Sequence, residues 1–296
     1  MFPLSPIASR LHKTQPRRGL LACALILFFL PSSSAHANSD SAPQEGSSVS
    51  SSSLPEAPQP QATRPQSTSA SPTEDRDAVT LRNTPVHILK DQAAIWTSPL
   101  RMRPHDLIWL LPFAGATGAG IATDHHVMSS VVSHDAGFNQ HNIDASNALI
   151  GSLIALPAAT YGFGYFKDNP HARETGILGA EALVDGVVVE QGLKFIFWRE
   201  RPSDDHARGL FFQSSSGADS SMPSSHSLLA WSSAAVIASE YPSIWSQVGV
   251  YSLATGVSVT RVLGQQHFPT DVLLGSAAGW LIGHYVYRAH HKHTAH

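Results

Sequence analysis

Lysine, arginine, serine, histidine and aspartate gather in three short stretches of an otherwise apolar C-terminal region. These are KFIFWRERP (Lys194–Pro202), MPSSH (Met222–His226) and TRVLGQQHFPTD (Thr260–Asp271). Lys194 and Arg201 are seven residues apart, two helical turns, so a helix continuing to Pro202 carries both cations on one side. Pro202 biases Arg201 away from helical backbone and ends the helix there. Ser224 or Ser225 suits the N-cap of a helix beginning near His226, and a helix start offers unpaired N–H groups and partial positive charge, which together bind phosphate. Pro269 fits the first turn of a final helix. His267 then lies just before that helix and Asp271 in its opening turn, close enough to hydrogen-bond back to the imidazole. Taken singly, each stretch also has a plain structural reading: cations suited to a helix C-terminus, a serine cap, an acid suited to a helix N-terminus.

The elements that must position these residues are six long apolar stretches: Leu107 to Ala122, Ala148 to Phe166, Gly176 to Phe197, Ser227 to Ser239, Trp245 to Val259 and Val272 to Tyr287. Their length and their Ala, Leu and Gly content without sustained alternation predict helices, hence an all-α bundle of about six main helices. GATGAG (Gly115–Gly120) lacks the lysine and spacing of a nucleotide loop and reads as a close helix-packing face. Glu181, Asp185 and Glu190 interrupt the third stretch at near-helical spacing, which argues for a polar face and for a globular domain outside the cytoplasmic membrane, able to lie against a membrane surface.

The first 37 residues read as an export signal: a basic n-region (Arg10, Lys13, Arg17, Arg18), an apolar run from Gly19 to Leu30, and AHA at Ala35–Ala37 as the cleavage site. Residues 38–85, rich in Ser, Pro and Gln, cannot bury enough apolar surface to offset the cost of ordering and read as a disordered linker. The folded domain is expected over residues 86–288, with a solvated histidine-rich tail at 289–296. Cleavage would remove Cys23, the sole cysteine, so packing and not disulfides must stabilise the product. It would also take four Lys/Arg and no Asp/Glu, leaving 15 basic against 22 acidic residues. Nucleic acid as a partner is disfavoured by that balance. His125, His126 and His134, with two aspartates, lie close enough in sequence to consider a metal site, although a polar interhelical loop accounts for them as well.

Together the three stretches resemble the type 2 phosphatidic acid phosphatase and haloperoxidase superfamily, whose pattern is K-x6-RP, PSGH, SR-x5-H-x3-D. This chain reads K-x6-RP, PSSH, TR-x5-H-x3-D in the same order. Thr260 keeps the hydroxyl of the family's serine. Ser225 replaces a glycine, which strains the site only if the backbone there has positive φ.

With the export signal, which implies a periplasmic or cell-envelope location, the resemblance implies a metal-independent phosphatase acting on phosphate monoesters of small molecules or lipids, or on diphosphates. Lys194, Arg201 and Arg261 would clamp the phosphate oxygens, helped by Ser224 and the N–H groups of residues 225 and 226. His267 would be the nucleophile, Asp271 would orient it, and His226 would protonate the leaving oxygen and later activate water. No cofactor is required by that scheme. Two alternatives stay open: a vanadium-dependent haloperoxidase, in which the same residues hold vanadate, and a non-catalytic envelope protein retaining the fold.

Overall fold

In the computed structural model, residues 79–291 are described; the expected export signal, most of the linker and the last five residues of the tail lie outside them. The described residues form seven α-helices and no strand. They are α1 (Thr84–Thr97), α2 (Leu107–His126), α3 (Ala136–Phe166), α4 (Pro170–Phe197), α5 (Ser225–Glu240), α6 (Ile244–Leu263) and α7 (Pro269–His290). The six apolar stretches correspond to α2–α7. The additional helix, α1, has only a histidine and an aspartate, His87 and Asp91, fully buried.

α5 is the axis of the bundle. Most of its residues are buried, as expected of a helix without a polar face. One side joins Ile150 and Leu153 of α3 and Val250, Ala254 and Val257 of α6. The other joins Leu178 and Ala182 of α4 and Ile282 and Val286 of α7. The contact with α7 is made backbone to backbone along Gly275, Gly279 and Gly283. A Cβ built on Gly279 would lie 2.1 Å from the Leu228 carbonyl oxygen, and one on Gly283 2.4 Å from that of Ser232. Replacing Gly279 with valine must therefore push the two helices apart. The expected cost is at least about 1–3 kcal/mol, read as a lowered Tm in detergent solution.

GATGAG does not form the packing face expected of it. Gly115 and Gly118 meet nothing within 4 Å, and only Gly120 abuts a neighbour, the Thr270 methyl. The reason is the position of α2, whose single buried residue is Asp124. Leu107, Ile108, Trp109 and Leu111 all stand exposed on it, as do Phe163 and Phe166 on α3. Pro104–Val131 and Ala136–Phe166 are each long and apolar enough to cross a membrane.

Successive long helices alternate in direction. The C-terminal ends of α2, α4 and α6 and the N-terminal ends of α3, α5 and α7 consequently meet at one end of the bundle, where the three polar stretches converge.

Candidate active site

The first stretch is not one continuous helix. α4 stops at Phe197 because Trp198 takes the left-handed conformation (φ 44°, ψ 47°). Lys194 is thus still helical, whereas Arg201 approaches from the following loop instead of lying two turns along the same helix. That loop is stitched to the strand-like run before α5: Arg199 N–H donates to Ser220 Oγ (2.9 Å) and Ser221 N–H to the Arg199 carbonyl (2.8 Å). Ser221 Oγ donates to the Glu200 carbonyl (2.8 Å).

Ser224 is the N-cap of α5, with φ −69° and ψ 114°, and Ser225 is its first helical residue. Ser225 is not among the positive-φ residues, so substitution of glycine introduces no backbone strain. Its hydroxyl has a use of its own, donating to Glu190 Oε1 (2.5 Å), which also receives Lys194 Nζ (2.8 Å). Lys194 and Glu190 are both buried, so the carboxylate holds the ammonium group at the start of α5. The N–H groups of Ser225 and His226 belong to the first turn, where no intrahelical acceptor exists.

His267 is buried just before α7. Its Nδ1–H donates to the Ser221 carbonyl oxygen at 2.7 Å. A carbonyl can only accept, so this bond fixes the tautomer in which Nε2 carries the lone pair. Asp271 does not make the hydrogen bond expected of it: its Oδ2 is 3.8 Å from Nδ1. The carboxylate instead accepts from the Phe268 N–H (2.8 Å), closing the first turn of α7, and from Arg199 Nη1 (2.7 Å). Burial pushes the His267 pKa down to about 4, and Arg261 and Arg201 add to the effect against the opposing pull of Asp271.

Arg199, inside the first stretch, is fully buried. Its guanidinium spans Asp124 of α2 (2.9 Å), Asp271 (2.7 Å), Thr270 Oγ1 (2.9 Å) and the Gly209 carbonyl (3.2 Å), and lies 4.1 Å from the centroid of the Phe268 ring. It is the tie that joins α2, the loop after α4 and the start of α7. Trp198, half-exposed, donates from its indole to the Ser214 carbonyl (2.7 Å).

His226, on the first turn of α5, donates through Nε2 to Asn147 Oδ1 of α3 (3.1 Å). Burial lowers its pKa to about 4, helped by the charges of Arg261, His267, Lys194 and Arg201. All four lie at the same end of the bundle as His226. Arg261 is buried and its Nε has no hydrogen-bond partner, while its Nη2 reaches Gln266 Oε1 at 3.5 Å. Arg201 contacts the Gln266 carbonyl (3.3 Å) and Asp219 (3.5 Å). The result is a cationic seat with a nucleophilic nitrogen and a second imidazole beside it.

Residues 175–295 match the model of the PAP2 superfamily. A curated relative, a lipid A 1-phosphatase from Porphyromonas gingivalis, is 29% identical over 151 residues, covering 50% of this chain and 31% of its own. The chain thus spans about a third of the length of that relative. The crystal structure of a transmembrane PAP2-type phosphatidylglycerolphosphate phosphatase from Bacillus subtilis aligns with a TM-score of 0.43 at 19% identity, covering 72% of this chain and 98% of that one.

All eight residues singled out in the sequence lie at this end of the bundle, within the matched residues. Those that sequence reading missed are Ser221, Glu190, Asn147 and Asp124. Ser221 acts through its backbone carbonyl, which no side-chain pattern encodes. Glu190, at i−4 from Lys194, was open to detection as a helical ion pair. His125 bonds the Ala207 carbonyl (3.0 Å), and neither it nor His126 or His134 joins a cluster of potential metal ligands among the described residues.

Proposed function

We propose that the chain is a cell-envelope phosphatase that removes phosphate from lipid monoesters, with His267 as nucleophile and without a metal ion in the reaction. The observation that carries this reading is the buried His267, tied at Nδ1 to the Ser221 carbonyl so that Nε2 keeps its lone pair, with Arg261 and Arg201 both bearing on the ring.

Nε2 attacks phosphorus while Lys194, Arg201 and Arg261 spread the charge of the transferred group over their donors. The P–O bond to the alcohol breaks as His226 delivers a proton to the leaving oxygen. Water then attacks the phosphohistidine, His226 takes the water's proton, and inorganic phosphate leaves. Before substrate arrives, His226 is held neutral by burial and by the neighbouring cations. A bound phosphate dianion offsets those cations, so binding itself raises the affinity of His226 for its proton.

A lipid as substrate is supported by the large apolar side chains that stand exposed along α2 and α3, since exposed apolar surface marks sites of membrane or partner contact. We read these two helices as membrane-spanning, with the site in the loops and helix ends at one face of the bilayer. The lipid A 1-phosphatase relative points to the same substrate class.

The full chain in detergent, assayed on a chromogenic phosphate, a phosphatidic acid, a lipid A phosphate and a prenyl diphosphate, tests the proposal. Release of phosphate from a lipid monoester, blocked by vanadate, is expected. Hydrolysis of none, with vanadate-dependent halide oxidation in its place, overturns it. Because His267 has its pKa lowered to about 4, the nucleophile stays unprotonated through mildly acid conditions. The value of kcat/KM should fall on the acid side only as pH approaches about 4, and kcat should fall on the basic side as His226 loses its proton in the complex. An acid limb near the ordinary histidine value would contradict the burial of His267.

A further inference from the structure

About 20 Å along α4 from Lys194, by the helical rise, a second polar cluster lies where α1, α4 and α7 meet. His87 Nδ1 is 3.1 Å from Glu181 Oε1, and His290 Nε2 is 2.8 Å from Asp91 Oδ2. The two imidazole rings stack with centroids 4.2 Å apart and planes 7° from parallel. One ligand atom from each of His87, Glu181 and His290 lies within 4.8 Å of the other two. Asp91, Glu181 and Asp185 are all essentially inaccessible to solvent. Glu181 Oε2 and Asp185 Oδ2 are buried without a hydrogen-bond partner.

We infer that His87, Glu181 and His290 form a structural site for a divalent transition metal of the zinc class, with Asp91 completing or backing the ligand set. Two nitrogens and a carboxylate are a donor set such ions favour, and a closure of the ligands to about 2.0–2.2 Å from a central ion needs only side-chain movement. Burying three carboxylates against two imidazoles is costly, and an orphaned carboxylate oxygen adds to that cost. A dication supplies the missing positive charge and gives Glu181 Oε2 a partner. It also explains why α1 docks through a histidine and an aspartate: the ion pins this helix to α4 and to the end of α7. The neighbouring group of Glu174, Glu240 and His291 brings one nitrogen and two carboxylates and serves as an internal control.

The full chain, stripped with EDTA and titrated with Co²⁺, is expected to take up about one equivalent with the visible absorption of a tetrahedral nitrogen–oxygen site, displaced by Zn²⁺. Glu181→Gln and His87→Ala are expected to lose that absorption. His291→Ala and the double variant His293→Ala/His296→Ala are expected to keep it. Zn²⁺ should raise the Tm of the parent chain by several degrees and leave that of Glu181→Gln unmoved. A parent chain that binds no stoichiometric metal overturns the inference. So does absorption that survives in Glu181→Gln and His87→Ala but vanishes with the tail histidines or His291, or an equal Tm shift in parent and Glu181→Gln.

Discussion

Replacing His267 with alanine is expected to lower kcat by at least about 10⁴-fold and to abolish any trappable phosphoenzyme, while the chain stays folded. The magnitude follows from losing the group that forms the covalent bond, after which only charge stabilisation remains. The fold should tolerate it because His267 makes one hydrogen bond to protein, to the Ser221 carbonyl, and the lost imidazole leaves a small polar gap that water can fill. Comparison with His226→Asn separates the two imidazoles. With a chromogenic ester, whose leaving group needs no proton, His226→Asn should still form phosphoenzyme and then stall, because nothing activates the water. Rapid-quench trapping under alkaline conditions, where phosphohistidine persists, reads both outcomes. Ordinary turnover and normal phosphoenzyme in His267→Ala would remove the nucleophile from the scheme.

The second large effect is structural. Arg199→Met removes the guanidinium from between Asp124 and Asp271 and leaves two buried carboxylates without their partner. Breaking a buried pair in this way costs about 3–5 kcal/mol, a large part of the about 5–15 kcal/mol that holds a typical domain together. The variant is expected either not to accumulate or to unfold far below the parent in a thermal scan. Arg199→Lys keeps one charge but cannot span Asp124, Asp271 and the Gly209 carbonyl at once, so an intermediate Tm is expected. Combining Arg199→Met with Asp124→Asn should recover part of the loss by removing one orphaned charge. Recovery in the double variant marks the tie as electrostatic; a purely additive loss would mean that the cost comes from losing the guanidinium's stacking on the Phe268 ring.

These two cases mark what was legible in the chain. His267, His226, Arg261 and the serine cap were readable because their chemistry belongs to side chains at fixed spacings. The orientation of His267 was not, because its partner is a main-chain carbonyl delivered by a loop that doubles back over more than twenty residues. Asp271 was assigned to the imidazole on its spacing and on the family resemblance. The structure places it nearer to Arg199 and to the first turn of α7, and Arg199 sat inside a motif whose other cations belong to the proposed phosphate clamp. Helices α2–α7 followed from apolar length. α1 did not, since its docking face is a histidine and an aspartate. The break at Trp198 also escaped, because a left-handed tryptophan is not favoured by its type and is held there by the loop around it. The α7 stripe Gly275-x3-Gly279-x3-Gly283 was visible as spacing, whereas GATGAG, similar in composition, lies on a helix with almost nothing packed against it.

That stripe has a consequence for how the proposed active site can change. The Ser224 N–H donates to the Asp271 carbonyl (3.0 Å), and a Cβ on Gly275 would lie 2.7 Å from the Ser224 carbonyl oxygen. The seat at the start of α5 and the histidine before α7 are therefore carried on a single stiff jaw, with no side-chain layer between its two halves to yield. α2 and the outer surface of α3 lie beyond it and can be recontoured without altering the distance between nucleophile and phosphate. Selection for a new headgroup or acyl shape has the periphery to work on, while the reacting centre stays in fixed register.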